Sequence, residues 1–215
     1  MTHTLHRSGS KESLKNDYVF LAMASREFNV NGAAPKLKKI AEIFAKYNPV
    51  NMGDMSSGQP LTMARGVSPE SIIKGISDRS IIHAVYTDKD TVRKVLKELK
   101  DADLGISVVV SGIFDDVFGL CKEVSVCGSF AVDLSLGILG KTQLLPKEEI
   151  LDITTMCGHG LISKYLVMHQ IEKIRKGETT VEEAARELAK QCVCGVFNPV
   201  RAAKLINEIL KRRDN

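Results

Sequence analysis

Apolar positions along the first part of the chain follow two different periods. Short continuous apolar runs, which are typical of buried strands, occur at residues 18–24, 81–86, 106–110 and 130–136. Stretches with an apolar residue every three or four positions lie between these runs, as in amphipathic helices. Alternation at this spacing is typical of βαβ units, and strands that are apolar on both faces are typical of parallel sheets. The pattern predicts an α/β fold with a mostly parallel sheet of about four strands and helices on both faces.

Capping signals refine the predicted helix starts in this part of the chain. Ser68-Pro69 combines an N-cap residue with proline at the first helical position. Thr87 or Asp88 can cap the helix that follows the run at 81–86. Residues 48–67 contain several glycines and no regular apolar period, so they predict a long loop.

The chain after Pro146 has only the helical period. One helix is predicted to run from there to near Cys157, and a second from about Leu161 to Lys176. Thr180-Val181-Glu182-Glu183 is a capping box that starts a third helix. Asn198-Pro199 starts a fourth. This part of the chain is therefore predicted to form a C-terminal helical subdomain.

The patterning divides the chain into a polar N-terminal arm (1–17), an α/β domain (18–144) and a helical subdomain (145–215) packed on it. The chain has 215 residues, of which 44% are hydrophobic. A chain of this size and composition can bury a core without help from a metal or disulfides. Cysteines that have a special role are therefore expected to serve a site rather than the stability of the fold.

Charge and composition restrict the classes of partner. The formal net charge is +4, aromatic residues make up 5%, and there is no tryptophan. Nucleic-acid recognition through stacked aromatic side chains is therefore not expected. No apolar run approaches the ~18 residues of a membrane span, and the N-terminus lacks the apolar segment of a secretory signal. The chain is predicted to be cytoplasmic, with its cysteines reduced.

Two glycine-flanked clusters hold the residues with the most specific chemistry. They are Cys157-Gly158-His159-Gly160 and Cys192-Val193-Cys194-Gly195. Thiolate and imidazole are preferred ligands of zinc, and thiolates hold iron–sulfur clusters. The predicted helix–turn–helix between the clusters lets the chain fold back and bring them together. The sequence predicts a metal site with Cys157, His159, Cys192 and Cys194 as ligands, for an iron–sulfur cluster or zinc.

Two alternatives to the metal site remain open at this stage. The cysteines can be small core residues at helix ends, with the glycines as C-cap residues. A reactive thiol is the other alternative, because Cys194 lies just before the helix start at Asn198-Pro199, where the helix dipole would lower its pKa. Nothing in the pattern gives Cys121 or Cys127 a role beyond core packing.

A second candidate site follows from the predicted sheet. Ligands collect beyond the carboxyl ends of parallel strands, and those ends supply Thr87, Asp88, Ser111 and Gly112. Ser111-Gly112 leads into a helix N-terminus, which suits a small anionic ligand. The alternative is that these residues only cap helices.

The leading hypothesis is a cytoplasmic metal-binding protein, preferably with an iron–sulfur centre, that has a redox or metabolic role. The alternative is a metal-free α/β module that binds a small ligand or regulates another protein, with structural cysteines. A third hypothesis is an assembly or scaffold protein that uses the C-terminal helices as the contact face of a homo-oligomer. The residues assign no reaction, so whether the protein is an enzyme stays open.

Overall fold

The computed structural model describes residue 4 and residues 7–55, 61–126 and 131–213. The strands in these ranges form one antiparallel sheet in the order β3-β2-β4-β1-β5. Their bounds are Tyr18–Met23 (β1), Asn51–Asp54 (β2), Leu61–Thr62 (β3), Ile81–Tyr86 (β4) and Ser107–Ser111 (β5).

The helices of the described residues confirm most of the predicted starts. Ser68, Asp88 and Thr180 each accept a backbone N–H as N-caps, and Asn198 accepts the N–H of Arg201. The bounds are Lys11–Leu14 (α1), Ala34–Lys46 (α2), Pro69–Gly75 (α3), Lys89–Ala102 (α4), Phe114–Glu123 (α5), Glu148–Thr154 (α6), Lys164–Arg175 (α7), Val181–Lys190 (α8) and Pro199–Arg213 (α9).

The predicted mostly parallel sheet of about four strands is wrong. The crossovers β1-α2-β2 and β4-α4-β5 both exist, and the two strands within each crossover run in the same direction. They are not neighbours, however, because β4 lies between β1 and β2 and β1 lies between β4 and β5. Because a strand of one crossover lies between the two strands of the other, the adjacent pairs β2-β4, β4-β1 and β1-β5 are all antiparallel. The split βαβ arrangement of ferredoxin-like folds has the same strand order.

Two further predictions fail on particular segments. Residues 131–136 of the predicted strand 130–136 are exposed and form no strand, and residue 130 lies outside the described residues. The predicted loop 48–67 contains β2, β3 and a single 3-10 turn at Met63–Arg65. Its residues 56–60 lie outside the described ranges.

The sheet separates two hydrophobic cores. Phe20 and Ala22 face a core that includes residues of α2, α3, α4 and α5. Val19 and Val85, with the opposite orientation, face a second core built from α6, α7, α8 and α9. Because successive side chains of a strand point to opposite faces, the C-terminal helices pack directly on β1 and β4.

A buried polar cluster joins the segment before β1 to α9. The carboxylate of Asp17 accepts a hydrogen bond from Arg201 at 3.1 Å and one from the side-chain amide of Asn198 at 3.0 Å. Arg7 forms a second ion pair with Asp17 and also donates to the carbonyl of Val196. Asp17 and Arg201 are 3% and 2% exposed. We call these residues, Arg7, Asp17, Asn198 and Arg201, the Asp17 cluster.

Candidate metal centre

The cysteines lie on two turns of the same construction. Cys157 follows α6, and its carbonyl accepts the N–H of Gly160 at 3.0 Å. Cys192 follows α8, and its carbonyl accepts the N–H of Gly195 at 3.3 Å. Both glycines have positive φ, +67° and +75°, a conformation that glycine adopts without steric cost. The sequence therefore makes two matching Cys-x-x-Gly turns, each at the end of a helix.

Backbone N–H groups surround the first sulfur of each turn. The backbone N–H groups of His159 and Leu161 lower the pKa of Cys157. The backbone N–H groups of Cys194, Val196 and Phe197 lower the pKa of Cys192. N–H groups that point at a sulfur favour its thiolate form and are typical of the surroundings of metal-bound cysteine.

The structure brings the four predicted ligands together in two pairs. Cys157 and Cys192 lie close enough for each thiol to shift the pKa of the other. The sulfur of Cys194 lies 3.2 Å from Nδ1 of His159. The three cysteines are buried and His159 is exposed at the rim. We call these four residues the cysteine centre.

The electrostatics of the cysteine centre favour one thiolate. The hydrogen bond from Cys157 lowers the pKa of Cys192, and the surrounding backbone N–H groups lower it further. The same hydrogen bond and burial raise the pKa of Cys157. Burial and the nearby Cys192 raise the pKa of Cys194 to about 12. A cation would favour the thiolate form of all three sulfurs, because it would compensate the buried negative charge.

The cysteine centre contacts the sheet through a close approach of two backbones. A Cβ atom on Gly195 would lie 2.8 Å from the backbone nitrogen of Gly53 in β2. A Cβ atom on Gly53 would lie 2.7 Å from the carbonyl oxygen of Cys194. Thr62 and His83 are the cross-strand neighbours of Gly53, and both are buried on the same face of the sheet. No pattern in the sequence predicts this contact, because nothing indicates a strand at Gly53.

The four side chains of the cysteine centre do not form a complete set of ligands at their present positions. Within the described ranges, no group of three or more His, Cys, Asp and Glu side chains is placed to hold an ion. Two donors on one tetrahedral zinc, at the usual Zn–S and Zn–N lengths, lie about 3.6 Å apart. Since Cys194 and His159 are already 3.2 Å apart, this pair fits a shared ion. To place all four ligands on one ion, the Cys194–His159 pair and the Cys157–Cys192 pair would have to move towards one another.

The second candidate site lies at one end of the sheet, away from the cysteine centre. β4 and β5 run in the same direction on either side of β1, so Thr87-Asp88 and Ser111-Gly112 flank Tyr18. Asp88 caps α4 by accepting the N–H of Thr91 at 2.8 Å, and the Ser111 hydroxyl lies 2.6 Å from that of Thr4. Asp88 is therefore a helix cap, as the alternative interpretation of this site expected.

The charge at this end of the sheet disfavours an anion. Asp115 and Asp116 occupy the first turn of α5, the helix that follows Ser111-Gly112. Asp116 also hydrogen-bonds the Tyr18 hydroxyl and, together with burial, raises the pKa of Tyr18 to about 12. These carboxylates already supply the negative charge that a helix N-terminus attracts.

The remaining cysteines lie outside the centre. Cys121 is half-buried in α5 and packs against the first core, where burial raises the pKa of its thiol. Cys127 lies outside the described residues.

Comparison with models of protein families, with curated proteins and with solved structures finds no match for this chain. Across the described residues, none of the helices has the length and apolar character needed to cross a membrane. The site must therefore be interpreted from its own geometry.

Proposed function

We propose that this chain is a cytoplasmic metal-binding protein that holds one thiolate-bound metal centre between its C-terminal helices and its sheet. Cys157, Cys192 and Cys194 are the proposed thiolate ligands, and His159 is the fourth. The observation that supports this most is the meeting of two matching Cys-x-x-Gly turns, which places the sulfur of Cys194 3.2 Å from Nδ1 of His159. Turns of this kind stabilise thiolates, and no Lys or Arg is among the groups that shift the pKa of Cys157, Cys192 or Cys194 in the described part of the chain.

The spacing of the donors favours a single tetrahedral ion such as zinc. A single ion needs donors about 3.6 Å apart, and Cys194 and His159 lie at 3.2 Å. The ligands of an iron–sulfur cluster bind different irons and do not share one ion. The two residues within each pair, Cys157 with Cys192 and Cys194 with His159, would therefore have to move apart. An iron–sulfur cluster on the same residues, with a redox role, is the competing assignment that the experiment must distinguish.

The metal-free alternative has less support. A small anionic ligand at Ser111-Gly112 would meet Asp115 and Asp116. Asp88 is already occupied as a helix cap. No contact in the described residues favours this function over metal binding.

Anaerobic purification followed by metal and sulfide analysis tests the proposal. We expect about one zinc per chain and no visible absorbance. Iron and acid-labile sulfide with visible absorbance would assign a cluster to the same residues. The variants C192S and C194S should lose the metal, whereas C121S, which changes a half-buried thiol outside the centre, should retain it. A wild-type protein that stays metal-free after incubation with zinc, and with iron and sulfide, would contradict the proposal.

Metal-dependent stability gives a second readout. Zinc at 100 times its dissociation constant should raise the free energy of unfolding of the wild type by about 2.7 kcal/mol. C192S should show little of this gain, because it removes the sulfur that carries the thiolate. Urea titrations with and without zinc measure the difference, and C121S is again the matched control. An equal gain in C192S and the wild type would place the metal elsewhere.

A further inference from the structure

Residues 131–139 are an extended apolar segment exposed to solvent. Leu134 is 64% exposed, Leu136 is 90% exposed and Leu139 is 83% exposed. Val132, Leu134, Leu136 and Ile138 occupy alternate positions, which places them on one face when the whole segment is an extended strand. Gly137 has a φ of +87° in the structure, and pairing as a strand must change this value. Exposed apolar side chains in a continuous patch usually mark an interaction surface.

The backbone of this segment is also largely without partners among the described residues. Residues 132–139 take part in no backbone–backbone hydrogen bond, and Gly137 N–H donates only to the nearby hydroxyl of Ser135. The segment thus has the alternation of a half-buried strand, but no neighbouring strand within the described part of the chain.

The sheet offers the missing neighbour at β5. This strand is the last in the order β3-β2-β4-β1-β5, so its outer edge is unpaired within the described residues. Its sequence, Ser107-Val108-Val109-Val110-Ser111, contains no charge and no proline. Natural edge strands usually carry such residues to prevent pairing with another chain. The edge of β5 lacks this protection.

We propose that residues 132–138 of one copy pair as an added strand with β5 of a second copy of this chain. The exchange is reciprocal, since each copy supplies one segment and one free edge. A two-fold axis therefore closes the assembly as a dimer and leaves neither feature unpaired. Main-chain hydrogen bonds supply affinity in strand addition of this kind, and the alternate apolar side chains supply specificity.

The length of the segment suits this partner. Seven residues in a strand span about 23 Å, which covers the five residues of β5 with a margin at each end. The apolar face of the added strand would extend a face of the sheet. This dimer is independent of the metal centre, because the cysteines lie on other elements.

The test compares mass and amide protection in the full-length chain. Light scattering after size-exclusion chromatography should give a dimer at tens of micromolar protein. Hydrogen–deuterium exchange should show protection of residues 107–111 and 132–138 that is lost on dilution. The double variant L134D/L136D should raise the dimer dissociation constant at least about 100-fold. F28D changes an apolar residue that is 88% exposed elsewhere, and it should leave the dimer intact.

A second variant tests the backbone part of the proposal. S135P removes an N–H in the segment without disturbing the packed core, since residue 135 is exposed. It should also dissociate the dimer. A monomeric wild type overturns the proposal, including a monomer whose segment is protected by pairing within its own chain. A dimer that persists unchanged in both L134D/L136D and S135P overturns it as well.

Discussion

The Asp17 cluster and the cysteine centre lie on either side of one turn, Val196–Asn198, and they compensate buried charge differently. In the Asp17 cluster, two guanidinium groups and an amide donate to one carboxylate. In the cysteine centre, backbone N–H groups and a neighbouring thiol surround the sulfur of Cys192. The backbone of Val196 takes part in both, since its carbonyl accepts from Arg7 and its N–H lowers the pKa of Cys192.

This difference indicates what each cluster is for. In the Asp17 cluster the protein supplies both the carboxylate and its cationic partners, so its role is to hold the N-terminal segment, β1 and α9 together; Nε of Arg7 alone is buried without a hydrogen bond among the described residues. The cysteine centre offers ligands for a cation, and no Lys or Arg is among the groups that shift the pKa values of its cysteines in the described residues. Buried charges are usually paired or bound to metals, and the cysteine centre is expected to belong to the second class.

Removing the carboxylate of the Asp17 cluster should have the largest effect. D17N removes the carboxylate that pairs directly with both buried guanidinium groups and leaves Arg201 only the more distant charge of Asp152, so we expect a loss of about 3–5 kcal/mol in the free energy of unfolding. The exposed pair Lys97–Asp101 gives the matched control, because D101N should cost less than about 1 kcal/mol. Urea unfolding measures both. If D17N lowers the free energy of unfolding as little as D101N does, the Asp17 cluster does not hold the N-terminal segment, β1 and α9 together.

The pH dependence of zinc binding should be the next largest effect. The pKa values of Cys157 and Cys194 are raised in the metal-free protein and that of Cys192 is lowered. Near neutral pH, zinc must therefore displace about two protons, and its dissociation constant should fall about 100-fold for each unit of pH increase. Competition with a chelator at several pH values measures this slope.

The control for the pH slope is C194S, which removes one of the two protons. Its slope should be reduced to about 10-fold for each pH unit. A wild-type slope near zero would show that protonated thiols do not compete with the metal, which contradicts the proposed ligands.

The contact between the cysteine centre and the sheet predicts a smaller effect. G195A places a Cβ 2.8 Å from the backbone of Gly53 at a positive φ, so both strain and a backbone clash oppose it. G177A has a similar φ of +72° but no atom within 4 Å, so it reports the strain alone. We expect a cost of about 1 kcal/mol for G177A and at least about 2 kcal/mol for G195A. Equal costs would argue against the close backbone approach.

The sequence predicts those elements that carry a local signal. β1, β4 and β5 each have a continuous apolar run, and the caps at Asp88 and Thr180 are short-range patterns. β2 was missed because Asn51-Met52-Gly53-Asp54 is rich in residue types that strands disfavour. Without β2, the crossovers imply neighbouring parallel strands, and the interleaved antiparallel order cannot be deduced from spacing.

The cysteine centre, like the fold, was predictable from the sequence only where the residues carry a local signal. Cysteine and histidine beside glycine suggested that the two turns would meet, and the structure places Cys194 beside His159 and Cys157 beside Cys192. Gly53 was not predictable, because its role depends on which strand lies under the turn. The partners Asp17 and Arg201 were not predictable either, since no local pattern links charges so distant in sequence.

The pairing of Asp17 with Arg201 also constrains the order of folding. The two residues are separated by 184 positions. Synthesis delivers the N-terminal part of the chain first, so the Asp17 carboxylate can pair with Arg7 but not with Arg201 until α9 has left the ribosome. Contacts between distant residues carry a high loop-closure cost and form slowly. We therefore expect the docking of α9 to be a late step, and a chain released before Arg201 to remain open at the start of β1.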